Sequence, residues 1–269
     1  MPISLERPAG HPHVALVVLN RPEKANALDP EHLYELASAW REIADDDELR
    51  CAIVTGAGER VFCAGMDMRA TIPAARKLVA GERLDPRTFE GLRSVSPALL
   101  AGFDLKKPLI CAINGHARAG GFDLMLASEL RLAVPEATFA LEEVALGLYP
   151  TGNATVLLPK QIGWTHAHEL LLTADPIDAE RALAIGLINR VVPRAELLET
   201  AFALADRIAQ NSPLAVQTTR AGVRELIGLN LEQAYKRQEE IGRPLRNTED
   251  AKEGQRSFLE KRPPVFQGR

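Results

Sequence analysis

The sequence predicts an α/β fold with a largely parallel sheet, and three segments near the amino terminus support this class. His13–Asn20 is a continuous, valine-rich apolar run, which is typical of a buried strand. Pro30–Asp45 carries apolar residues at helical spacing, with Asp29 as the expected N-cap. Cys51–Gly56 is a second apolar run. Strand, helix and strand over this distance indicate a βαβ unit, whose strands are parallel.

The following elements continue this pattern towards residue 195. Asp67–Gly102 is helical but interrupted by glycine and proline, so we expect several short helices or a mobile cover. Pro108–Asn114 predicts a third strand, which leads to a helix that opens at Gly120-Gly121, and Glu129–Val134 predicts a fourth strand. Later segments predict three helices and a short apolar return: 154–162, 167–173, 179–185 and 189–192.

Residues 196–269 show no strand signal and are predicted as a helical segment, distinct from an α/β core over residues 1–195. Four amphipathic stretches lie there: 197–208, 215–226, 231–241 and 248–259. A segment of this size is small for an independent domain, so we expect it to pack on the core or on a neighbouring subunit.

Composition excludes several classes of function. The 269 residues are 46% apolar and 25% charged, with a net charge of −4, which does not indicate a nucleic-acid or membrane partner. No apolar run approaches the length of about 18 residues that a membrane span requires, and we see no signal peptide. The three scattered cysteines predict buried, reduced thiols and a cytoplasmic protein, although Cys63 lies in a glycine-flanked loop where a reactive thiol is an alternative. We expect no metal site.

Asn114–Leu124, N-G-H-A-R-A-G-G-F-D-L, combines the groups that an oxyanion-stabilising site needs. Glycines allow a ligand to approach the backbone, helix-opening N–H groups attract negative charge, and Asp123 places a carboxylate in the first helical turn. The alternative is a tight turn whose acidic residue only favours the helix dipole. Val61–Met68 has the same plan of small-residue loop and helix. In a parallel sheet such loops meet at the carboxyl ends of the strands, where two backbone N–H groups can point at one carbonyl oxygen.

Several motifs in order, L-N-R-P-x-K-x-N-A-L, A-G-M-D-M, N-G-x-x-x-x-G-G-x-D-L and a closing F-L-E-K-R-P-P-V-F, resemble the enoyl-CoA hydratase/isomerase (crotonase) family nearly end to end. The resemblance implies a crotonase-like spiral of ββα units with a C-terminal helical trimerisation segment. It also implies a homotrimer or a dimer of trimers, and an acyl-CoA substrate. No cofactor is implied, since coenzyme A is part of the substrate.

The same resemblance assigns roles to individual residues. The oxyanion hole maps to the backbone N–H groups of Met66 and Gly120, and the two catalytic carboxylates map to Asp123 and Glu143. Glu143 is preferred over Glu142 because it keeps the family spacing to Gly147. Binding of coenzyme A maps to the following residues: Lys24, Ala25, Ala64, Gly65, Asp67, Met68, Phe258 and Lys261. For the two lysines, the alternative is an ordinary solvated side chain.

Two positions depart from the hydratase pattern and leave the reaction open. Asp123 stands where hydratases carry glutamate, so its carboxylate lies about 1.5 Å further back, the length of one C–C bond. Aspartate at this position resembles the dienoyl-CoA isomerase branch, but Thr151 occupies the place of that branch's further aspartate, and threonine is no base near neutral pH. We therefore predict an enoyl-CoA hydratase. The alternatives are a double-bond isomerase and an acyl-CoA-binding protein with weak catalysis.

Overall fold

The protein is built on two sheets, seen in a computed structural model that describes residues 2–269. The strands of the described residues are β1 Ile3–Glu6, β2 Val14–Leu19, β3 Cys51–Gly56, β4 Val61–Cys63, β5 Leu109–Ile113, β6 His116–Arg118, β7 Leu130–Ala133, β8 Thr138–Ala140, β9 Ile177–Asp178 and β10 Arg190–Val191. The larger sheet has the order β1-β2-β3-β5-β7-β10, and the smaller has the order β4-β6-β8-β9. Within the larger sheet only β1 is antiparallel to its neighbour, which confirms the predicted parallel sheet.

The chain alternates between the two sheets as it advances. Strands β3, β5 and β7 lie side by side in the larger sheet, and each is followed by a short strand, β4, β6 or β8, in the smaller one. After β4 and β6 a helical segment returns the chain to the larger sheet, which gives ββα units, whereas after β8 the chain first adds β9 to the smaller sheet before α8 leads to β10. The central strands are almost entirely apolar because both faces of the larger sheet are buried.

Most of the predicted helices are present with bounds within a few residues. They are α1 Pro30–Asp45, α2 Thr71–Val79, α3 Pro86–Arg93, α4 Val95–Ala98, α5 Gly120–Leu126, α6 Ala154–Ile162, α7 Trp164–Thr173, α8 Ala179–Ala184, α9 Leu197–Ala209, α10 Pro213–Leu226, α11 Leu231–Gly242 and α12 Glu249–Glu260. Asp29 caps α1 by accepting a bond from the His32 N–H at 3.0 Å, as predicted. The interrupted region before residue 103 contains three short helices.

The sequence prediction did not include β1 or any strand of the smaller sheet. Strands β4, β6 and β8 have three residues each and β9 has two, which is too short for a two-residue alternation to be visible. They exist because each lies beside its predecessor in the spiral: Val61 pairs with His116, and Ala117 pairs with Phe139. These contacts are distant in sequence, so local pattern does not reveal them.

The C-terminal helices are attached to the core through ion pairs in the middle of α10. Arg220, which is buried, lies 2.6 Å from the Asp104 carboxylate and 2.9 Å from that of Glu129. Glu129 also accepts a bond from the Leu109 N–H at 2.9 Å, so it links α10 to the start of β5. Helix α9, in contrast, packs directly on strands of the larger sheet. The boundary between residues 195 and 196 stays a prediction.

None of the helices over residues 2–269 is long and apolar enough to cross a membrane.

Gly91 permits the close crossing of α3 over the start of α1, and its replacement provides a test of that packing. A Cβ at Gly91 would overlap the Pro30 carbonyl group. Gly91→Ala should therefore lower the free energy of unfolding by about 1–3 kcal/mol, as overpacking typically does. Gly222→Ala in α10 is the matched control, because its Cβ would meet only Ile241 at 3.8 Å, and it should be neutral or stabilising. Urea unfolding of both variants measures this, and equal midpoints would contradict the crossing.

Candidate active site

A cavity of about 650 Å³ lies where the loops after β4, β6 and β8 meet the short helices α2 and α4. Met66 and Met68 come from the first loop, Gly120 and Asp123 from α5, and Glu143 from the third loop. The rest of the wall is mostly apolar: Ala64, Ile72, Ala75, Val95, Leu99, Ala101, Ala119, Leu146, Leu148 and Tyr149, with Thr71, Ser96, Glu142, Thr151 and Gly152. The four residues predicted to be catalytic thus share one cavity.

Glycine allows the first two loops to approach each other at the backbone. Gly65 has φ +83°, and a Cβ there would lie 2.8 Å from the Gly120 nitrogen. A Cβ at Gly121 would overlap the Cys63 carbonyl oxygen, so this position also requires glycine. A Cβ on Gly120 would be 3.7 Å from the Met66 nitrogen, which shows that the two predicted oxyanion donors are neighbours in space.

The N–H groups of Met66 and Gly120 are oriented for a ligand by the local backbone. Leu28 and Met66 form a parallel bridge, in which the Leu28 N–H donates to Gly65 and the Leu28 carbonyl accepts from Asp67. This bridge uses the groups on either side of Met66, so the Met66 N–H points away from Leu28. Gly120 is the first residue of α5, and a first helical N–H has no partner inside its helix. Such paired donors can stabilise a carbonyl oxygen as it gains negative charge.

Ala119 holds the turn before Gly120 in a strained conformation. Its φ of 44° and ψ of −118° are rare for a residue with a side chain and cost about 1–3 kcal/mol. The turn persists because the Ala119 N–H donates to the Ala140 carbonyl at 3.1 Å, continuing the pairing of β6 with β8. Formation of the smaller sheet therefore fixes the direction of the Gly120 N–H.

Asp123 is buried and joins α5 to the start of α6. Its Oδ1 accepts the backbone N–H groups of Asn153 at 2.6 Å and Ala154 at 2.7 Å. The Asn153 side chain donates to the carbonyl groups of Asp123 and Leu99, which locks this junction. Burial raises the pKa of Asp123, and the two N–H donors act in the opposite direction by favouring its charged form.

Glu143 lies immediately before a 3-10 turn, Val144–Leu146, in the loop after β8. Within residues 2–269 its buried Oε2 has no hydrogen-bond partner. Burial raises its pKa, and the negative charges of Asp123 and Glu142 raise it further, so the two predicted catalytic carboxylates interact electrostatically. Glu142 is about half exposed and lies 3.9 Å from Arg118. An acid that holds its proton more tightly near neutral pH is suited to proton transfer.

The structure brings together most of the residues predicted to bind coenzyme A. Ala25, in a left-handed conformation after the turn that ends at Lys24, accepts a bond from the Ala64 N–H at 3.0 Å. This places Lys24, which is exposed, and Ala25 beside Gly65 and the mouth of the cavity. Met68 lines the cavity, whereas Asp67 is not among the lining residues and its side chain is held by Arg21 at 2.9 Å.

Phe258 and Lys261 lie apart from this cluster. Both are exposed at the C-terminal end of α12, Phe258 with 81% of its surface accessible, and neither lines the cavity of its own chain. Their assignment to coenzyme A stays a prediction that requires a second copy of the chain.

Sequence reasoning missed one part of the site, the junction Gly152-Asn153 that holds Asp123. A signal was present, because Asn153 directly precedes the apolar run of α6, where an asparagine commonly begins a helix. Its link to Asp123, thirty positions earlier, is a tertiary contact.

The cysteines are free and buried, as predicted. Burial raises the pKa of the Cys63 thiol to about 12, so the alternative of a reactive thiol was wrong. His116 forms a structural bond to Thr138 at 2.9 Å.

Comparison with known proteins agrees with this architecture. The family model for enoyl-CoA hydratase/isomerase matches residues 10–269. The Mycobacterium tuberculosis enoyl-CoA hydratase EchA19 is 40% identical over 96% of this chain and 94% of its own. The (E)-benzylidenesuccinyl-CoA hydratase of Thauera aromatica is 39% identical over the whole of both chains. The crystal structure of a Bacillus anthracis enoyl-CoA hydratase superposes with a TM-score of 0.89 at 32% identity, covering both chains fully. The chain belongs to the enoyl-CoA hydratase/isomerase family, and the predicted crotonase fold is confirmed.

Gly152 provides a test of how Asp123 is positioned. A Cβ at residue 152 would overlap the Asp123 carboxylate, so Gly152→Ala should displace that group without removing it. A shift of about 1 Å typically lowers the rate on the order of 10²-fold, and we expect this loss in kcat. Thr151→Ala, the adjacent control, lines the same cavity but should stay within a few-fold of the wild-type rate. Full activity of Gly152→Ala, measured with a 2-enoyl-CoA, would contradict this account.

Proposed function

We propose that the protein adds water across the 2,3 double bond of an enoyl-CoA thioester. The observation that carries the proposal is that two carboxyl groups with raised pKa, buried Asp123 and half-buried Glu143, share a cavity with the backbone N–H groups of Met66 and Gly120. Relatives named as hydratases and as carnitinyl-CoA dehydratases support chemistry in which water is added or removed. The names of these relatives specify different acyl groups, so they do not indicate which acyl group this protein accepts.

The proposed reaction begins with the thioester oxygen at the N–H groups of Met66 and Gly120. Glu143 accepts a proton from water while the water oxygen bonds to C3, and the electrons of the double bond move through C2 to the thioester oxygen. The N–H pair stabilises this enolate, and loss of one such donor typically costs about 10²–10³-fold in rate. Glu143 then returns the proton to C2, so the elements of water are added overall. Asp123, held through Oδ1, orients the water with its other oxygen.

The residues proposed to bind the coenzyme A part of the substrate follow from their positions around the cavity. Lys24, Ala25, Ala64, Gly65, Asp67 and Met68 would hold coenzyme A along the turn beside the cavity mouth. The Asp67 side chain is paired with Arg21 and its N–H with the Leu28 carbonyl, so Asp67 would act by shaping this turn. Phe258 and Lys261 would serve the cavity of a neighbouring copy in a homotrimer or a dimer of trimers. A cytoplasmic location and the absence of a separate cofactor belong to the same proposal.

Isomerisation and passive binding remain the competing hypotheses, and paired substrates separate them. Wild-type protein should remove the ultraviolet absorbance of a trans-2-enoyl-CoA and leave 3,5-dienoyl-CoA unchanged. Asp123→Asn and Glu143→Gln should each lower hydration by about 10²–10⁴-fold, the usual contribution of a general acid or base. Growth of a 2,4-dienoyl absorbance would establish isomerisation. Tight binding of both thioesters without either change would establish passive binding.

Stability measurements keep this test interpretable. Because burial raises the pKa of Asp123 in the folded protein, its ionised form opposes folding, and Asp123→Asn should not lower the melting temperature appreciably. An inactive variant that still melts like the wild type then reports lost chemistry. Exposed Glu136, which is paired with Arg194, provides a control as Glu136→Gln and should retain full activity.

The pH dependence of kcat/KM should show an acid limb above the ordinary glutamate pKa of 4.5. As pH falls through the raised pKa of Glu143, the base is protonated and the rate declines, whereas the fold is not weakened by this group. Glu142→Gln removes a negative charge that raises this pKa, so the acid limb should move to lower pH. Steady-state rates together with circular dichroism at each pH test this. An acid limb that stays in place in Glu142→Gln would refute the electrostatic link.

A further inference from the structure

The charges that line the active-site cavity all have the same sign. Asp123, Glu142 and Glu143 contribute carboxyl groups, and the lining includes no lysine, arginine or histidine. Arg118, which is outside this lining, lies 3.9 Å from the Glu142 carboxylate and donates to the Thr138 hydroxyl at 2.7 Å. The buried Nη1 of Arg118 has no hydrogen-bond partner within residues 2–269, but Arg118 is not among the residues that line the cavity. An anionic part of a substrate would find no cation in this lining.

The remaining wall of the cavity is mostly apolar, and part of it is exposed. Large side chains from the first and third loops retain much of their surface: Met68 50%, Leu146 57%, Leu148 49% and Tyr149 69%. Ile72, Val95 and Leu99 continue this surface deeper along α2 and α4. Clustered exposed apolar side chains around a concave site are typical of a surface that a ligand covers. An acyl chain without charge would cover this wall and remove it from water.

We infer that this cavity accepts an uncharged, apolar acyl group and rejects acyl groups that carry a second carboxylate. The inference rests on the proposed function and specifies its substrate class. A second carboxylate would lose its hydration against an apolar wall, would gain no ion pair, and would be repelled by three acidic residues. The coenzyme A portion is common to both kinds of thioester, so the acyl end alone decides between them.

A matched pair of substrates tests the inference. trans-Oct-2-enoyl-CoA and the monothioester of trans-oct-2-enedioic acid differ only in the end of the chain, a methyl group in one and a carboxylate in the other. We expect kcat/KM to favour the methyl-ended thioester by about 100-fold or more, the scale set by burying an unpaired charge. A ratio near one, or a preference for the carboxylate, would overturn the inference while leaving hydration intact.

Cavity variants show whether the wall charge is the cause. Leu146→Lys and Leu148→Lys place an ammonium group on the exposed wall, and each should reduce the preference about tenfold, mainly by lowering KM for the carboxylate-ended thioester. Leu172→Lys is the control, since Leu172 is also exposed, on α7, but lies outside the cavity lining. An equal change in all three variants would show that net charge, not the cavity wall, controls the preference, and would count against the inference.

Binding measurements separate failure of the inference from failure of the proposed function. Calorimetry with octanoyl-CoA and the monothioester of octanedioic acid requires no turnover. If neither enoyl thioester is hydrated, the proposed function fails, and tighter binding of octanoyl-CoA still supports the apolar acyl site. Equal or tighter binding of the carboxylate-ended compound would refute the inference of an apolar acyl site.

Discussion

The site depends on one steric constraint, the close approach of two backbone turns that only glycine permits. Gly65 and Gly121 leave no room for a side chain, because their neighbours are the Gly120 nitrogen and the Cys63 carbonyl group. This approach places β4 beside β6 and brings the Met66 and Gly120 nitrogens to one side of the cavity. A substituent at either glycine would separate the turns and the two donors together. The smaller sheet is therefore as much a part of the site as the residues that line it.

Asp123 connects this geometry to the second half of the molecule. As an aspartate it reaches less far into the cavity than a glutamate would, and the sequence alone suggests only a loss of reach. The structure shows that the start of α6 comes to meet the carboxylate, where Asn153 and Ala154 donate to one of its oxygens. The Asp123 carboxylate therefore holds the start of α6 through Oδ1, and the same two bonds fix the position of Oδ2. Such rigid support is what a catalytic carboxylate requires, since its effect depends on position.

The sequence was sufficient for elements whose signal is local and insufficient for those created by tertiary contact. The apolar runs of β2, β3 and β5 and the cap at Asp29 could be predicted because burial and capping leave marks on consecutive residues. The strands of the smaller sheet could not, because they are short and stabilised by neighbours in the spiral. The site motifs could be located by resemblance and by strand-to-helix turns. The cavity wall and the Gly152 junction required the structure, since neither has a pattern of its own.

The pKa values of the acidic residues are shifted in opposite directions in the cavity and in the C-terminal segment. Bonds to Arg262, Val265 and Arg256 lower the pKa of Glu253, so its stabilising effect is present above its unfolded pKa and is lost only as pH falls through its folded pKa. Asp123 and Glu143 have raised pKa values instead and oppose folding when ionised. Glu253 is paired with Arg256 and Arg262, whereas Asp123 and Glu143 have no arginine partner among the described residues. Leaving Glu143 unpaired keeps its oxygen available to a substrate, at a cost in stability that the extensive core can offset.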